Sequence, residues 1–305
     1  MKLLQINSVV NSGSTGRIAE EIGIAAMTNG WQSYIAFGRN KRSSESELIR
    51  IGSDWDIKIH VLQTRLLDRH GLASIRATKK IIEQIKEIKP DLIHLQNIHG
   101  YYINYQILFN YLKMAGIPVV WTFHDCWPIT GHCAHFEFVG CEKWKTECYK
   151  CPQKYEYPAS YFLDRSRKNF KLKKKLFSSV SNLTIVSVSK WLNNIIEVSF
   201  LGNIPKLIIN NGIDINTFTP QNKSQEIKAK YGISNKFLLI GVATAWSKSK
   251  GVEDYKKLSY LLSNDCIIIL IGLTKKQIRS LPESIIGIPR TENISELVNL
   301  YSSAD

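Results

Sequence analysis

Apolar runs long enough to span a membrane are missing from this 305-residue chain. The longest, Cys266–Ile271, has the size of a strand. The residues after Lys2 form no extended apolar segment with a small-residue cleavage site, so no signal peptide is read and a cytoplasmic location is expected. Cysteine is scarce outside one stretch: of six, only Cys266 lies beyond residues 126–151, and the expected cytoplasmic location argues against disulfides. Acidic side chains are the third shortage. Twenty-six face forty basic ones, a formal charge of +14 that favours nucleic acid, acidic phospholipid or a phosphorylated ligand as partner.

What is present starts twice. Residues 2–9 read as a buried strand, followed by the small polar loop Asn11-Ser-Gly-Ser-Thr-Gly16 and a helix. Residues 236–243 repeat that plan, with Ser247-Lys-Ser-Lys-Gly251 before the next helix. A strand feeding a Gly/Ser loop into a helix start presents free backbone N–H groups and the positive end of a helix dipole. Two such elements predict two Rossmann-like lobes around a cleft for an anionic ligand.

Strands at Trp31–Phe37, Leu92–Gln96, Ile117–Phe123 and Leu183–Val188 alternate with helices at Ser74–Lys89, Asn104–Ala115 and from Ser189 to about Val198. The pattern predicts an α/β fold with a parallel sheet covered on both faces. The expected lobes are residues 1–205 and 206–305, with a linker at Asn210–Lys228. The second lobe reads as strand 236–243, helix 251–262, strand 265–271, a short helix, a short strand at Ile285–Ile288 and a helix at Ile294–Tyr301. A further strand is expected after it, and the chain stops at Asp305.

Between 126 and 158 the alternation breaks into an insertion rich in Cys, His, Trp and Tyr. Cys133, Cys141, Cys148 and Cys151, with His132 and His135 close by, allow a structural zinc site, unmetallated buried thiols, or disulfides. Cys126 is the odd one out, and Cys266 reads as core. Basic residues crowd Arg165–Lys175, interleaved with Phe162, Leu163, Phe170, Leu172, Leu176 and Phe177. This stretch is either a solvated helix face over a core stripe or a basic amphipathic patch on an anionic membrane.

Taken together, several segments resemble the retaining glycosyltransferases of family 4, which have the two-lobed GT-B fold. The resemblance is closest to a bacterial branch that builds surface polysaccharides. It rests on Asn11-Ser-Gly-Ser-Thr-Gly-Arg17, Pro90-Asp-Leu-Ile-His-Leu-Gln96, Val120-Trp-Thr-Phe-His-Asp-Cys126, Ser187-Val-Ser-Lys-Trp-Leu192, Ile209-Asn-Asn-Gly-Ile-Asp214, Lys250-Gly251 and Glu296–Asp305. It implies that Gly13 and Gly16 let backbone N–H groups approach the donor phosphate and the acceptor, although a tight turn would need glycine too. His124 matches the histidine that contacts the donor sugar, with Asp125 orienting it or binding acceptor hydroxyls. Arg17, His94 and His99 are acceptor-side candidates. Lys250, with Gly251, matches the lysine that neutralises the leaving diphosphate, and no catalytic metal is implied.

Two departures stand out. The arginine expected ahead of Lys250 is absent, and Lys248 is the candidate replacement. The family's paired glutamates fall beyond Asp305, so the sequence reads as a C-terminally truncated member with an incomplete second lobe. The implied function is transfer of a sugar, of the hexosyl type, from a nucleotide-diphosphate donor to a lipid-linked glycan acceptor. The expected place is the cytoplasm or the inner face of the cell membrane, with an anionic membrane surface as partner. The alternative is a non-catalytic remnant that binds acceptor or a partner transferase. A nucleic-acid binder is disfavoured, because the basic residues are scattered and no recognition motif appears.

Overall fold

The computed structural model describes residues 1–247, 250–291 and 293–305. It divides into two compact units, Met1–Asn211 and Gly212–Asp305. The boundary falls beyond the expected 205/206 because Lys206–Ile208 forms a strand that pairs with Leu183–Ser187 in the first sheet.

Unit 1 is built on a seven-stranded parallel sheet. In chain order its strands are β1 (Lys2–Asn7), β2 (Gln32–Phe37), β3 (Glu47–Arg50), β4 (Leu92–Leu95), β5 (Val119–Phe123), β6 (Leu183–Ser187) and β7 (Lys206–Ile208). Their spatial order is β3-β2-β1-β4-β5-β6-β7, so the winding reverses between β1 and β4. Open parallel sheets bind ligands at such a reversal, outside the carboxyl ends of the strands. Leu3, Leu4, Ile6, Ile93 and Leu95 are buried on alternating sides, as expected of strands covered on both faces.

Six helices flank this sheet: α1 (Gly13–Thr28), α2 (Asp54–Leu67), α3 (Ile75–Ile88), α4 (Tyr105–Ala115), α5 (Ser166–Phe177) and α6 (Lys190–Glu197). Helix α3 buries Ile81, Ile82 and Ile85 and ends at Lys89 in the left-handed region, before Pro90. Asn104 and Ser189 cap α4 and α6 through their side chains. Helix α5 settles the reading of the basic stretch within it. Phe170, Leu176 and Phe177 are buried in the main core, while Lys168, Lys171, Lys174 and Lys175 are exposed. It is a solvated face over a core stripe.

Unit 2 has a three-stranded parallel sheet, order β10-β9-β8, of β8 (Phe237–Val242), β9 (Cys266–Ile271) and β10 (Ile285–Ile288). Its helices are α7 (Ser224–Lys230), α8 (Val252–Leu261), α9 (Lys275–Ile278) and α10 (Ile294–Ser303). Central β9 serves two cores. Ile267, Ile269 and Ile271 pack with Ile227 and Leu300, whereas Ile268 and Leu270 pack with Trp246 and Val252. The expected linker is therefore partly structured, since α7 buries Ile227. At the edge of β8, Asp305 N donates to Leu238 O at 3.0 Å, and its carboxylate accepts from Leu238 N and Lys228 Nζ. The two Rossmann-like α/β units match the expected fold class.

Candidate active site

The carboxyl ends of β1, β4 and β5 gather the polar side chains of unit 1. Asn97 N donates to Asn7 Oδ1 at 3.2 Å, tying the loop after β4 to the end of β1 across the reversal. The loop leaving β1 then turns into α1 through Gly13, whose φ of +64° suits glycine. At Gly16 the need is space. A Cβ there would stand 3.0 Å from Val9 Cγ2 and 3.2 Å from Asn11 N. Ser12 makes no side-chain cap, and the first turn of α1 holds no acidic residue. The positive end of this helix is thus open to an anion.

The same sheet edge carries two sets of side chains at the ends of β4 and β5. His124 Nε2 lies 2.8 Å from Gln96 Oε1, and Gln96 is held in turn by Gln5. Burial lowers the His124 pKa, the Asp125 carboxylate opposing this and His99 adding to it, so the imidazole is neutral at pH 7. The second set runs Asp125–His99–Tyr157: His99 Nε2 is 2.7 Å from Asp125 Oδ2, and His99 Nδ1 is 3.1 Å from the Tyr157 hydroxyl. Burial pushes the Asp125 carboxyl up, but His99 and the Trp127 amide outweigh it and hold the group below the usual carboxylate range. A neutral imidazole and an imidazole anchored by a carboxylate at one open sheet edge can both bind sugar hydroxyls.

Other candidates lie elsewhere. His94 is buried in β4 with Nε2 2.8 Å from Thr122 Oγ1; burial, with His124 adding to it, lowers its pKa to about 4. Arg17 is exposed on α1. In unit 2, Lys250 is exposed just before Gly251, whose φ of +74° starts α8. Unlike α1, this helix has Glu253 and Asp254 in its first turn. Trp246, after β8, donates from Nε1 to Ile271 O at 2.8 Å. Lys248, and Ser249 beside it, lie outside the described residues.

The insertion is held from within. Lys173 is fully buried and donates to the carbonyls of Trp127 at 2.6 Å and Thr130 at 3.0 Å, over the Trp127 ring. His132 pairs with buried Asp68 at 2.6 Å, and Phe136 stacks on Trp144 at 4.9 Å. Cys133, Cys141, Cys148 and Cys151 line one pocket. All six cysteines are free, which excludes the disulfide reading in this structure. Among the described residues no group of three or more His, Cys, Asp or Glu side chains is arranged to hold a metal ion. A hydrogen bond from Cys133 lowers the Cys151 thiol to about 7, while burial raises Cys148 to about 12.

Sequence reasoning missed Gln96 and Tyr157. Gln96 ends the apolar strand Leu92–Leu95 as a buried polar residue, which was a usable signal. Tyr157 is one of several tyrosines in the insertion, and only the fold brings it to His99.

Comparison with known proteins decides the family. Residues 15–217, two thirds of the chain and most of unit 1, match Glycosyltransferase Family 4. The chain belongs to Glycosyltransferase Family 4. A curated relative, the putative colanic acid biosynthesis glycosyl transferase WcaC of Escherichia coli (strain K12), is 27% identical over 231 residues. That match covers 71% of this chain and 56% of the relative, so the family 4 chain spans little more than half of that protein's length. Among solved structures, sucrose-phosphate synthase (tll1590) from Thermosynechococcus elongatus superposes with a TM-score of 0.65 at 11% identity, covering 99% of this chain and 73% of that one. Anabaena Alr3699/HepE, solved in complex with UDP, gives 0.62 at 14% identity, covering 100% and 72%. At these identities both support the GT-B fold alone.

Proposed function

We propose that this family 4 chain transfers a hexosyl group from a nucleotide-diphosphate donor to a lipid-linked glycan, with retention, in the assembly of a bacterial surface polysaccharide. The reaction belongs at the cytoplasmic face of the cell membrane. The observation that carries the reading is the cluster at the carboxyl edge of the unit 1 sheet. There His124 and the Asp125–His99–Tyr157 chain share the sheet edge from which the uncapped, acid-free α1 starts. The bond between the anomeric carbon and the donor phosphate breaks as the acceptor hydroxyl oxygen bonds to that carbon, and the hydroxyl proton passes to the departing diphosphate. Positive charge builds on the sugar ring and negative charge on the departing diphosphate. In this reading His124 binds the donor sugar and the His99 set holds acceptor hydroxyls. Lys250 and helix-start amides stabilise the leaving phosphates without a metal, each well-placed donor contributing about 3 kcal/mol.

A panel of nucleotide sugars, assayed for nucleoside diphosphate release with a polyprenyl-diphosphate-linked saccharide, tests this. Transfer from one donor is expected, and the product linkage, read by nuclear magnetic resonance, keeps the donor's anomeric configuration. An inverted product contradicts the retaining step. Acceptor binding with no turnover of any donor replaces the enzyme reading with the binding-remnant one.

A further inference from the structure

Helix α2 is patterned the wrong way round for a helix lying on a sheet. Its inward residues are polar. His60 and Thr64 are fully buried, followed by Asp68 at 1% exposure. All three are satisfied: His60 sits 2.8 Å from Ser74 Oγ and accepts from Gly71 N, Thr64 donates to His60 O, and Asp68 pairs with His132. The outward stripe is apolar instead. Trp55 is 71% exposed, Ile59 51%, Leu62 56% and Leu66 37%, spaced so that they line one side of the helix.

A neighbouring segment widens this surface. Tyr161 N donates to Arg65 O at 2.7 Å and Leu163 N to Leu66 O at 3.4 Å, which lays residues 161–163 against the end of α2. Phe162 is as exposed as Trp55. Single exposed apolar residues are ordinary, whereas a contiguous stripe with large aromatics marks a contact surface.

We propose that α2 and residues 161–163 seat unit 1 on an anionic lipid bilayer, the helix lying in the plane of the interface. Charge selects lipid as the occupant. Lys58 and Arg65 flank the stripe on one side, and Lys154 donates to the Phe162 carbonyl. The nearby acids are mostly engaged: Asp54 with Arg50, Asp56 with the Ser53 cap, Asp68 with His132, and Asp164 with Cys151 N and Ser166; Glu156 is exposed. The whole chain adds its charge of +14. Apolar and aromatic side chains enter the headgroup boundary while flanking cations meet lipid phosphates. The exposed lysines of α5 add long-range attraction without insertion. This surface deepens the lipid-linked acceptor reading above, and its test needs no turnover.

The purified chain is sedimented with phosphatidylcholine vesicles, with and without phosphatidylglycerol. Binding to the anionic vesicles is expected, with a blue shift of Trp55 fluorescence that Trp55→Phe removes. The triple variant Trp55→Asp, Leu62→Asp, Phe162→Asp is expected to bind about tenfold or more weakly while melting like the parent, because all three side chains are exposed. A Lys174→Glu, Lys175→Glu variant lowers binding at low salt and leaves the blue shift. Equal sedimentation of parent and triple variant overturns the proposal. So does a parent dimer that the triple variant dissolves without any vesicle binding, since the face then joins two copies. Vesicle binding without transfer from any donor leaves this surface standing and rejects only the proposed activity.

Discussion

The two units share a plan and divide the chemistry unequally. Each feeds a strand through a glycine-containing loop into a helix, α1 or α8. Yet all seven histidines and five of six cysteines lie in unit 1. The starts of the two helices differ as well: α1 has no acid in its first turn, while α8 carries Glu253 and Asp254 behind Lys250. A shared fold therefore sets where a ligand can bind, and the side chains at each strand end set what happens there.

Acid separates the units most strongly. Burial lowers His94 to about 4 and His60 to about 3. Between those values and 6.5 the unfolded chain holds protons that the native chain does not, so stability rises with pH across that window and is lost as pH falls through it. His94 alone accounts for about 3 kcal/mol. Urea titrations from pH 7 down to pH 4 are expected to show unit 1 weakening. Trp246, the one tryptophan of unit 2, reports a flatter response there. His94→Gln, which keeps a partner for Thr122, flattens the unit 1 curve.

Removing the sugar contact comes next. His124→Ala is expected to lower kcat about 100-fold with little change in melting temperature, as for loss of one well-placed donor. A fall confined to KM means that His124 binds substrate without favouring the transition state.

The first loop can be broken by packing. Gly16→Val forces a side chain against Val9 and the Asn11 amide and is expected to cost about 1–3 kcal/mol in chemical denaturation. Among the described residues, a Cβ at Gly251 in the second loop meets Asp254 at 3.4 Å, an ordinary contact, so Gly251→Ala is expected to cost backbone strain of about 1 kcal/mol. Equal losses at the two positions reject the packing argument for Gly16.

The smallest effect tests the difference in first turns. Glu253→Gln is expected to tighten nucleoside diphosphate binding by about 0.5 kcal/mol, and Ser14→Asp in α1 to weaken any anion bound there by a similar amount. Isothermal titration at low salt reads both. Higher salt shrinks both effects.

Much of this fold was legible because strands and helices carried their own periodicity. The central strands β1, β4, β5 and β9 are largely apolar segments, and α3 shows its isoleucines at helical spacing. Besides α7, which lay in the expected linker, strand β3, helix α2 and strand β7 were hidden, each for an identifiable reason. Strand β3, Glu47–Arg50, is a short edge strand with no fully buried side chain. Helix α2 turns its polar residues inward, opposite to the pattern that reveals a helix. Strand β7 sits at the sheet edge with Leu207 and Ile208 exposed, so the expected lobe boundary fell just before it.

The site was legible in its glycines, His124 and Asp125 through the family resemblance. Its partnerships were not. His99 meets Asp125 because β4 and β5 are neighbours, and Tyr157 arrives from within an irregular insertion. The cysteine cluster was visible as a cluster, while spacing alone left its state open among metal, thiol and disulfide.

The transfer rate of His99→Gln beside that of the parent chain, followed across pH, addresses the central claim most directly. The Asp125–His99–Tyr157 chain predicts a fall in acceptor kcat/KM at every pH, with donor binding unchanged. An unchanged rate and profile contradict the assignment of acceptor binding to the edge of the unit 1 sheet.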